Sequence, residues 1–441
     1  MKVLKFGGTS VGSAERIKKV AGLITERGRN LVVLSAMAGT TNTLVEISDY
    51  IKRGNIDGAK ETINSLEKRY ARVMAELYDG IDAQYRDDAA RRIRESLQTL
   101  RSFTKAAFTT AEKTILAQGE LMSTALMYNY LRGTGVNVVM VEALNFMRID
   151  SNNEPDISYI ADRLVPVLNS NREAQMFLTQ GYICRNSKGQ IDNLQRGGSD
   201  LTASLIGAAI NAEEIEIWTD IDGMHNNDPR FVEGTRPVEH LHFEEAAELA
   251  YFGAKILHPA CVLPAKLNNI PVRLLNTMEP EARGTLIDNR FTSTIEGVKA
   301  IAAKDNITAI RIKSGRMLLA YGFLHKVFEI FETYRTPIDM IATSEVGVSV
   351  TVDTERELHS IVNDLKKFAT VTVDHDMVII CVVGDLEWRN NGLESKVLEA
   401  LADVPVRMIS YGGSDYNISI LISKDDKIRA LNALSGHLFK K

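Results

Sequence analysis

Disulfide-capable cysteine pairs, long apolar runs and an excess of one charge are all missing from this 441-residue sequence. The three cysteines, Cys184, Cys261 and Cys381, lie far apart and form no CxxC pair, which excludes a disulfide framework or a structural zinc site and fits a reducing compartment. No apolar run approaches the ~20 residues that span a bilayer. The amino terminus, Met1-Lys2-Val3-Leu4-Lys5-Phe6-Gly7, turns to glycine where a secretory signal would continue its apolar stretch. Against 57 acidic residues stand 52 basic ones, a net charge of −5 that leaves no footprint for nucleic acid. What is present is the balance of a globular protein, 45% hydrophobic and 25% charged. At roughly 100–200 residues per domain the chain should hold two to four of them. These features predict a cytoplasmic multidomain protein without nucleic-acid or membrane partners.

The pattern along the chain predicts α/β architecture. Val3–Phe6 reads as a strand, Ala14–Arg27 as an amphipathic helix through Ile17, Val20, Ala21 and Ile24, and Leu31–Leu34 as a fully covered strand. Strand, helix, strand with short connections is a βαβ unit. From Asp57 to Arg132 the chain turns helical, with Ile63, Leu66, Tyr70, Val73 and Leu77 on one face. Alternation then resumes, with strands at Val136–Val141, Gln175–Ile183, Glu214–Thr219 and Val272–Leu275 and helices between them. The last third carries a duplicated βαββα pattern of about seventy residues. Its first copy runs from Ile307–Ile312 through a helix opening at Gly322, strands Ile338–Ile341 and Val346–Val352, and a helix at Glu355–Phe368. The second copy starts at Val378–Val383, and Val298–Ala302 is a strand that pattern alone assigns to neither.

Two glycine-rich turns open helices. Lys5-Phe6-Gly7-Gly8-Thr9-Ser10 and Arg196-Gly197-Gly198-Ser199-Asp200 could each offer backbone N–H groups and a helix N-terminus to an anion. The lysine precedes its glycines, so the first is not a Walker A loop. A tight turn explains one such loop; two, carrying a lysine, an arginine and a carboxylate, fit a site for two anions. Trp218-Thr219-Asp220-Ile221-Asp222-Gly223, with Asp228-Pro229-Arg230 beyond it, ends a strand where open parallel sheets contact ligands. Ser35-Ala36-Met37-Ala38-Gly39-Thr40-Thr41-Asn42 follows the second strand, Glu120 stands in Gln118-Gly119-Glu120-Leu121, and Lys255 in Phe252-Gly253-Ala254-Lys255-Ile256-Leu257-His258-Pro259.

Taken together, KFGGTSVGS, LSAMAGTTN, QGELMST, RGGSD, WTDIDG…DPR and FGAKILHP resemble the motifs of the aspartokinases, of the amino-acid kinase superfamily, in order and over essentially the whole chain. The resemblance implies an amino-acid kinase fold, a mainly parallel central sheet covered by helices, followed by two ferredoxin-like βαββαβ ACT domains. It implies a catalytic domain at 1–290, a linker and extra strand at 291–303 joining the second module, and ACT domains at 304–374 and 375–441. The implied reaction moves the γ-phosphoryl of ATP, with Mg²⁺, to the β-carboxylate of L-aspartate.

By the same resemblance, Lys5 and Lys255 flank the phosphates, Gly7 and Gly8 supply N–H donors, and Asp200 organises the transferring group. Thr219, Asp220, His225 and Arg230 form the nucleotide pocket, His225 standing where relatives often carry tyrosine. Arg196 pairs with the substrate α-carboxylate, Glu120 holds the α-ammonium, and Ser35 and Thr41 line the aspartate pocket. No metal ligand is assigned directly, Mg²⁺ being carried by ATP. The last third looks most like the lysine-sensitive kind. Met317, Ala320, Phe323 and Leu324 would receive an effector's carboxylate, Asp339 its ammonium, with Thr343, Ser344 and Glu345 around it. Lysine is the implied effector, threonine the alternative, and a homodimer through the ACT domains is expected. The chain stops at Lys441 without a homoserine dehydrogenase segment, which implies a monofunctional enzyme. N-acetylglutamate kinase is the competing enzyme and a catalytically inactive amino-acid sensor the competing class.

Overall fold

The computed structural model describes residues 1–105, 112–194, 197–253, 257–290, 297–314, 321–387 and 392–439. The chain divides into two compact units, one of residues 1–224 and 256–289, the other of 225–255 and 290–441. The segment expected as one catalytic stretch, 1–290, is thus parted: 225–255 packs with the carboxyl-terminal residues.

The first unit is built on strands β1 (Lys2–Phe6), β2 (Asn30–Leu34), β3 (Val138–Met140) and β4 (Met176–Gln180), a small hairpin of β5 (Ile183–Arg185) with β6 (Ile191–Asn193), and β7 (Ile215–Thr219). After β8 (His240–His242), which falls in the second unit, come β9 (Val272–Asn276) and β10 (Thr285–Asp288). The large sheet orders the first unit's strands β3-β4-β2-β1-β7-β9-β10, all pairs parallel except β9 with β10. β1, β2 and β4 are covered on both faces, as their continuous apolar runs require.

Helices α1 (Ala14–Thr25), α2 (Thr40–Lys52), α3 (Ile56–Leu77), α4 (Ala83–Phe103), α5 (Glu112–Gly133), α6 (Ile157–Ser170) and α7 (Gly198–Ile210) belong to this unit, as does α9 (Pro259–Leu267) after α8 (Phe243–Tyr251) of the second. α3 buries Ile63, Leu66, Tyr70, Val73 and Leu77, the 3,4-spaced stripe of the sequence. The expected single strand Gln175–Ile183 is broken into β4 and β5. Tyr182 takes φ 66° and Gly181 approaches so closely that a Cβ there would stand 2.5 Å from Ser199 Oγ.

In the second unit, β11 (Val298–Lys313), β12 (Ile341–Ser344), β13 (Gly347–Val352), β14 (Thr370–Gly384), β15 (Val406–Ser410) and β16 (Asn417–Ser423) form one sheet ordered β12-β13-β11-β14-β16-β15. α10 (Phe323–Thr333) and α11 (Leu358–Lys366) pack on the β13 side, α12 (Leu393–Ala400) and α13 (Lys427–Leu438) on the β16 side, giving two apolar clusters. Val298–Ala302 and Ile307–Ile312 are not separate strands. β11 runs through both, with Asn306 at φ 60° and a shifted register absorbing the polar residues between them. The strand expected at Ile338–Ile341 starts only at Ile341, because the Asp339 and Met340 N–H groups both turn to Thr351, its carbonyl and its hydroxyl, each at 2.9 Å.

Candidate active site

The carboxyl ends of four neighbouring parallel strands release the motif loops: Lys5-Phe6 from β1, Ser35 from β2, Gly181-Tyr182 from β4 and Thr219-Asp220 from β7. This is where an open α/β sheet has room for a ligand. A cavity of about 480 Å³ lies there, lined by Lys5, Gly8, Ser35, Thr41, Glu120 and Asp200, together with Thr9, Asn42, Tyr182 and Gly197. Six residues singled out by sequence thus meet in one space.

Lys5, nearly enclosed, places Nζ 2.6 Å from Asp200 Oδ1 in the first turn of α7. Its neighbour glycines divide their labour. Gly7, expected as a phosphate donor, here donates its N–H to the Trp218 carbonyl at 3.1 Å, at the β1–β7 junction. A Cβ on Gly8 would stand 2.7 Å from the Ala36 carbonyl oxygen, so only glycine lets the first loop lie against the second. Gly197 holds φ 73° at the start of α7, pressed against Cys261, whose thiol donates to the Gly197 carbonyl at 3.3 Å. Burial pushes that thiol up to about 12, out of reach of thiolate chemistry.

Glu120 comes from the middle of α5 and is 4% exposed, although a lone glutamate on a helix is ordinarily a surface residue. It is reached because Gly119 lets α5 approach the 35–38 loop, a Cβ there meeting Ala36 Cβ at 2.9 Å. Its Oε1 accepts the Ala36 N–H at 3.2 Å, and Ser123 next along the helix donates to the Ser35 carbonyl at 2.7 Å. Burial pushes the Glu120 carboxyl up to about 8. A buried carboxylate at the wall of a cavity can pair with a cation that enters it.

Other expected residues stand elsewhere. Thr219, the last residue of β7, donates to Asp220 Oδ1 at 3.1 Å and does not line this cavity. In the second unit, the His225 ring nitrogen Nδ1 meets Thr235 Oγ1 at 3.1 Å, and Arg230 forks onto Asp228, with Nη2–Oδ2 at 2.6 Å. Arg196, Lys255, Met317 and Ala320 lie outside the described residues. Phe323 opens α10 with its ring in the β13-side core, edge-on to Phe368 at 5.8 Å, so its side chain serves packing where a ligand contact was expected; Leu324 beside it is half-exposed. Asp339 is nearly enclosed, and Thr343, Ser344 and Glu345 are exposed. Sequence reasoning missed Tyr182, whereas Thr9 and Asn42 stand in loops that it singled out without giving them a role. The signal for Tyr182 was a glycine before it at a strand end, and positive φ at a tyrosine is not readable from composition.

No group of three or more His, Cys, Asp or Glu side chains among the described residues could hold a metal ion. Asp200, the carboxylate beside Lys5 in this cavity, suits Mg²⁺, which keeps water and phosphate oxygens as most of its ligands.

Comparison with known proteins puts this fold among the kinases of amino acids. The amino acid kinase family pattern matches residues 1–276 and an ACT domain pattern residues 380–438. Lysine-sensitive aspartokinase 3 of Escherichia coli (strain K12) is 32% identical, the alignment covering 99% of both chains. Chloroplastic aspartokinase 2 of Arabidopsis thaliana is 34% identical over 99% of this chain and 84% of its own. Crystal structures of E. coli aspartokinase III superpose over the full length of both chains, with TM-score 0.84 and 31% identity for the R-state complex with aspartate and ADP, and 0.79 and 32% for the T-state complex with lysine and aspartate. The chain belongs to the amino acid kinase family and, within it, to the aspartokinases. It is an enzyme, an aspartate kinase with an ACT regulatory region and allosteric control. Among the described residues no helix is long and apolar enough to cross a membrane.

Proposed function

We propose that the enzyme transfers the γ-phosphoryl group of MgATP to the β-carboxylate of L-aspartate, giving 4-phospho-L-aspartate, the first step toward lysine, threonine and methionine, in the cytoplasm. The observation that carries this reading is the shared cavity. Lys5, held by Asp200, and the buried Glu120 line the same space. L-aspartate has the complementary ends: its ammonium suits Glu120 and its side-chain carboxylate faces the phosphate. That carboxylate, with an ordinary pKa of ~3.9, is ionised at neutral pH, so no general base is needed. The barrier is the approach of one anion to another, and Lys5, Lys255 and the Mg²⁺ carried by ATP lower it by neutralising charge. Asp200 fixes the Lys5 ammonium and would be the carboxylate that holds Mg²⁺ when the nucleotide brings it. Gly8 offers its amide to the phosphates, Arg196 forks onto the substrate α-carboxylate, and Ser35 and Thr41 line the aspartate end. Thr219, Asp220, His225 and Arg230 serve the nucleotide.

Feedback inhibition by an amino acid, lysine in this reading and threonine as the alternative, acts at the ACT region. Asp339 takes the effector ammonium, and the stretch around Met317, Ala320, Phe323 and Leu324 its carboxylate, with Thr343, Ser344 and Glu345 at the rim. The relative crystallised with lysine supports the choice. The domain boundaries at 290, 303 and 374 and a homodimer through the ACT sheet belong to the same proposal. Exposed Ile341 on β12 and Val406 and Ile409 on β15 supply apolar surface for it. The reaction is tested by trapping the acyl phosphate with hydroxylamine in the presence of ATP and Mg²⁺. Hydroxamate with L-aspartate is expected. Hydroxamate only with N-acetyl-L-glutamate, or none with either, would end this reading.

A further inference from the structure

On the regulatory sheet sits a side-chain cluster that the proposed reaction leaves unexplained. α8 carries Glu245, Glu248 and Tyr251 at three-residue spacing, hence along one face. Each reaches the second unit's sheet or a segment leading into it. Glu245 pairs with Lys299 of β11 at 2.7 Å, both side chains essentially enclosed. Glu248 accepts from Asn417 of β16. Tyr251 donates its hydroxyl to Asp339 Oδ1 at 2.8 Å.

Asp339 differs from the other two partners. Its side chain is 1% exposed, and Oδ1 also receives the Lys304 ammonium at 2.6 Å. Oδ2 is buried and has no hydrogen-bond partner among the described residues. Lys304 itself bridges to Asp353 at 2.9 Å and lies 4.4 Å above the Tyr251 ring. The carboxylate therefore has an internal ammonium and a phenol on one oxygen, and open acceptor capacity on the other.

We infer that Lys304 and Tyr251 are the chain's own competitors for the effector site: the Lys304 ammonium fills at Asp339 the place an amino acid's ammonium takes, and the exchange frees Tyr251 and loosens α8. This rests on the proposed effector role of Asp339. A buried carboxylate must keep a cation, so a vacated pocket would be costly and a resident lysine supplies one. Exchange of one primary ammonium for another leaves the net charge of the pocket unchanged, which keeps the two states close in free energy. Oδ2 offers the incoming ammonium its first bond. Oδ1 has two lone pairs, and both are in use, so a donor that settles there displaces one already present. Asp353 holds Lys304 when it leaves. The Glu245–Lys299 pair has no such outside rival and anchors the other end of α8. From Tyr251 the chain runs directly into Phe252-Gly253-Ala254-Lys255, the stretch proposed to bring a lysine to ATP.

The test uses the full-length enzyme with L-lysine and, in parallel, L-threonine, measuring binding by calorimetry and inhibition by the hydroxamate assay. Tyr251→Phe and Lys304→Met should each tighten effector binding about threefold or more, the loss of one competing hydrogen bond or cation, and lower the inhibition midpoint by the same factor. Lys304→Arg, which keeps the charge, should stay near the parent. The thermal midpoint of each variant shows that it is folded. If the parent binds an effector and both Tyr251→Phe and Lys304→Met bind it equally well or less tightly, the competition is overturned while the effector reading survives. If the active parent binds neither amino acid, the effector reading itself falls and takes this inference with it.

Discussion

Glu120 illustrates how one side chain can be costly to the fold and needed by the ligand. Burial raises its carboxyl from an ordinary 4.5 to about 8 in the folded chain. Between those values the folded protein holds an extra proton, so this residue makes stability fall as pH rises through that window. A substrate ammonium binds the ionised form, so binding aspartate should release a proton below about pH 8. The aspartate KM is therefore expected to fall as pH rises from 6.5 to 8, by up to about tenfold per unit. Steady-state kinetics across that range checks it, and a flat profile would contradict the assignment. Glu120→Gln should raise the aspartate KM at least about tenfold at pH 8 while leaving the thermal midpoint unchanged or higher. Lys5 makes the complementary case. Lys5→Ala should lower kcat by roughly 10²–10³, the usual loss of one charge-stabilising donor, with little change in aspartate KM. Comparable losses in both would make the lysine a structural charge only.

At the scale of elements, helices with a full apolar stripe were legible because burial alone decides them. α3 and α1 bury the residues their spacing selects. Two loops were legible from glycines that accommodate a neighbour, at Gly8 and Gly197. Illegible features depend on partners distant in sequence. The break between β4 and β5 is set by contact of Gly181 with Ser199, and the unbroken β11 by β14 running alongside it. The burial of Glu120 depends on α5 docking against a loop more than eighty residues earlier. Two changes test this level. Gly8→Ala forces a methyl onto the Ala36 carbonyl and should cost about 1–3 kcal/mol of stability by denaturant unfolding. Lys299→Met leaves Glu245 buried and uncompensated and should cost about 3–5 kcal/mol, with Glu245→Gln added in the same chain recovering part of it.

For the whole molecule, the order of motifs identified the family, whereas the division of the chain did not follow from it. Residues 225–255 carry kinase-family sequence yet pack with the carboxyl-terminal sheet. Apolar residues that mark only a strand in sequence, Val406 and Ile409, remain exposed in the folded chain. If they form the two-fold contact, the enzyme should sediment at twice its 48.9 kDa chain mass, and Ile409→Asp should shift it toward the monomer.

The sixteen residues of β11 and fifteen of β14 run side by side through both halves of the regulatory sheet. The duplicated modules are consequently fused along a common spine. Neither could be deleted or swapped for a foreign copy without tearing a strand that the other depends on, and a twist imposed on one half is delivered to its sibling through covalent backbone.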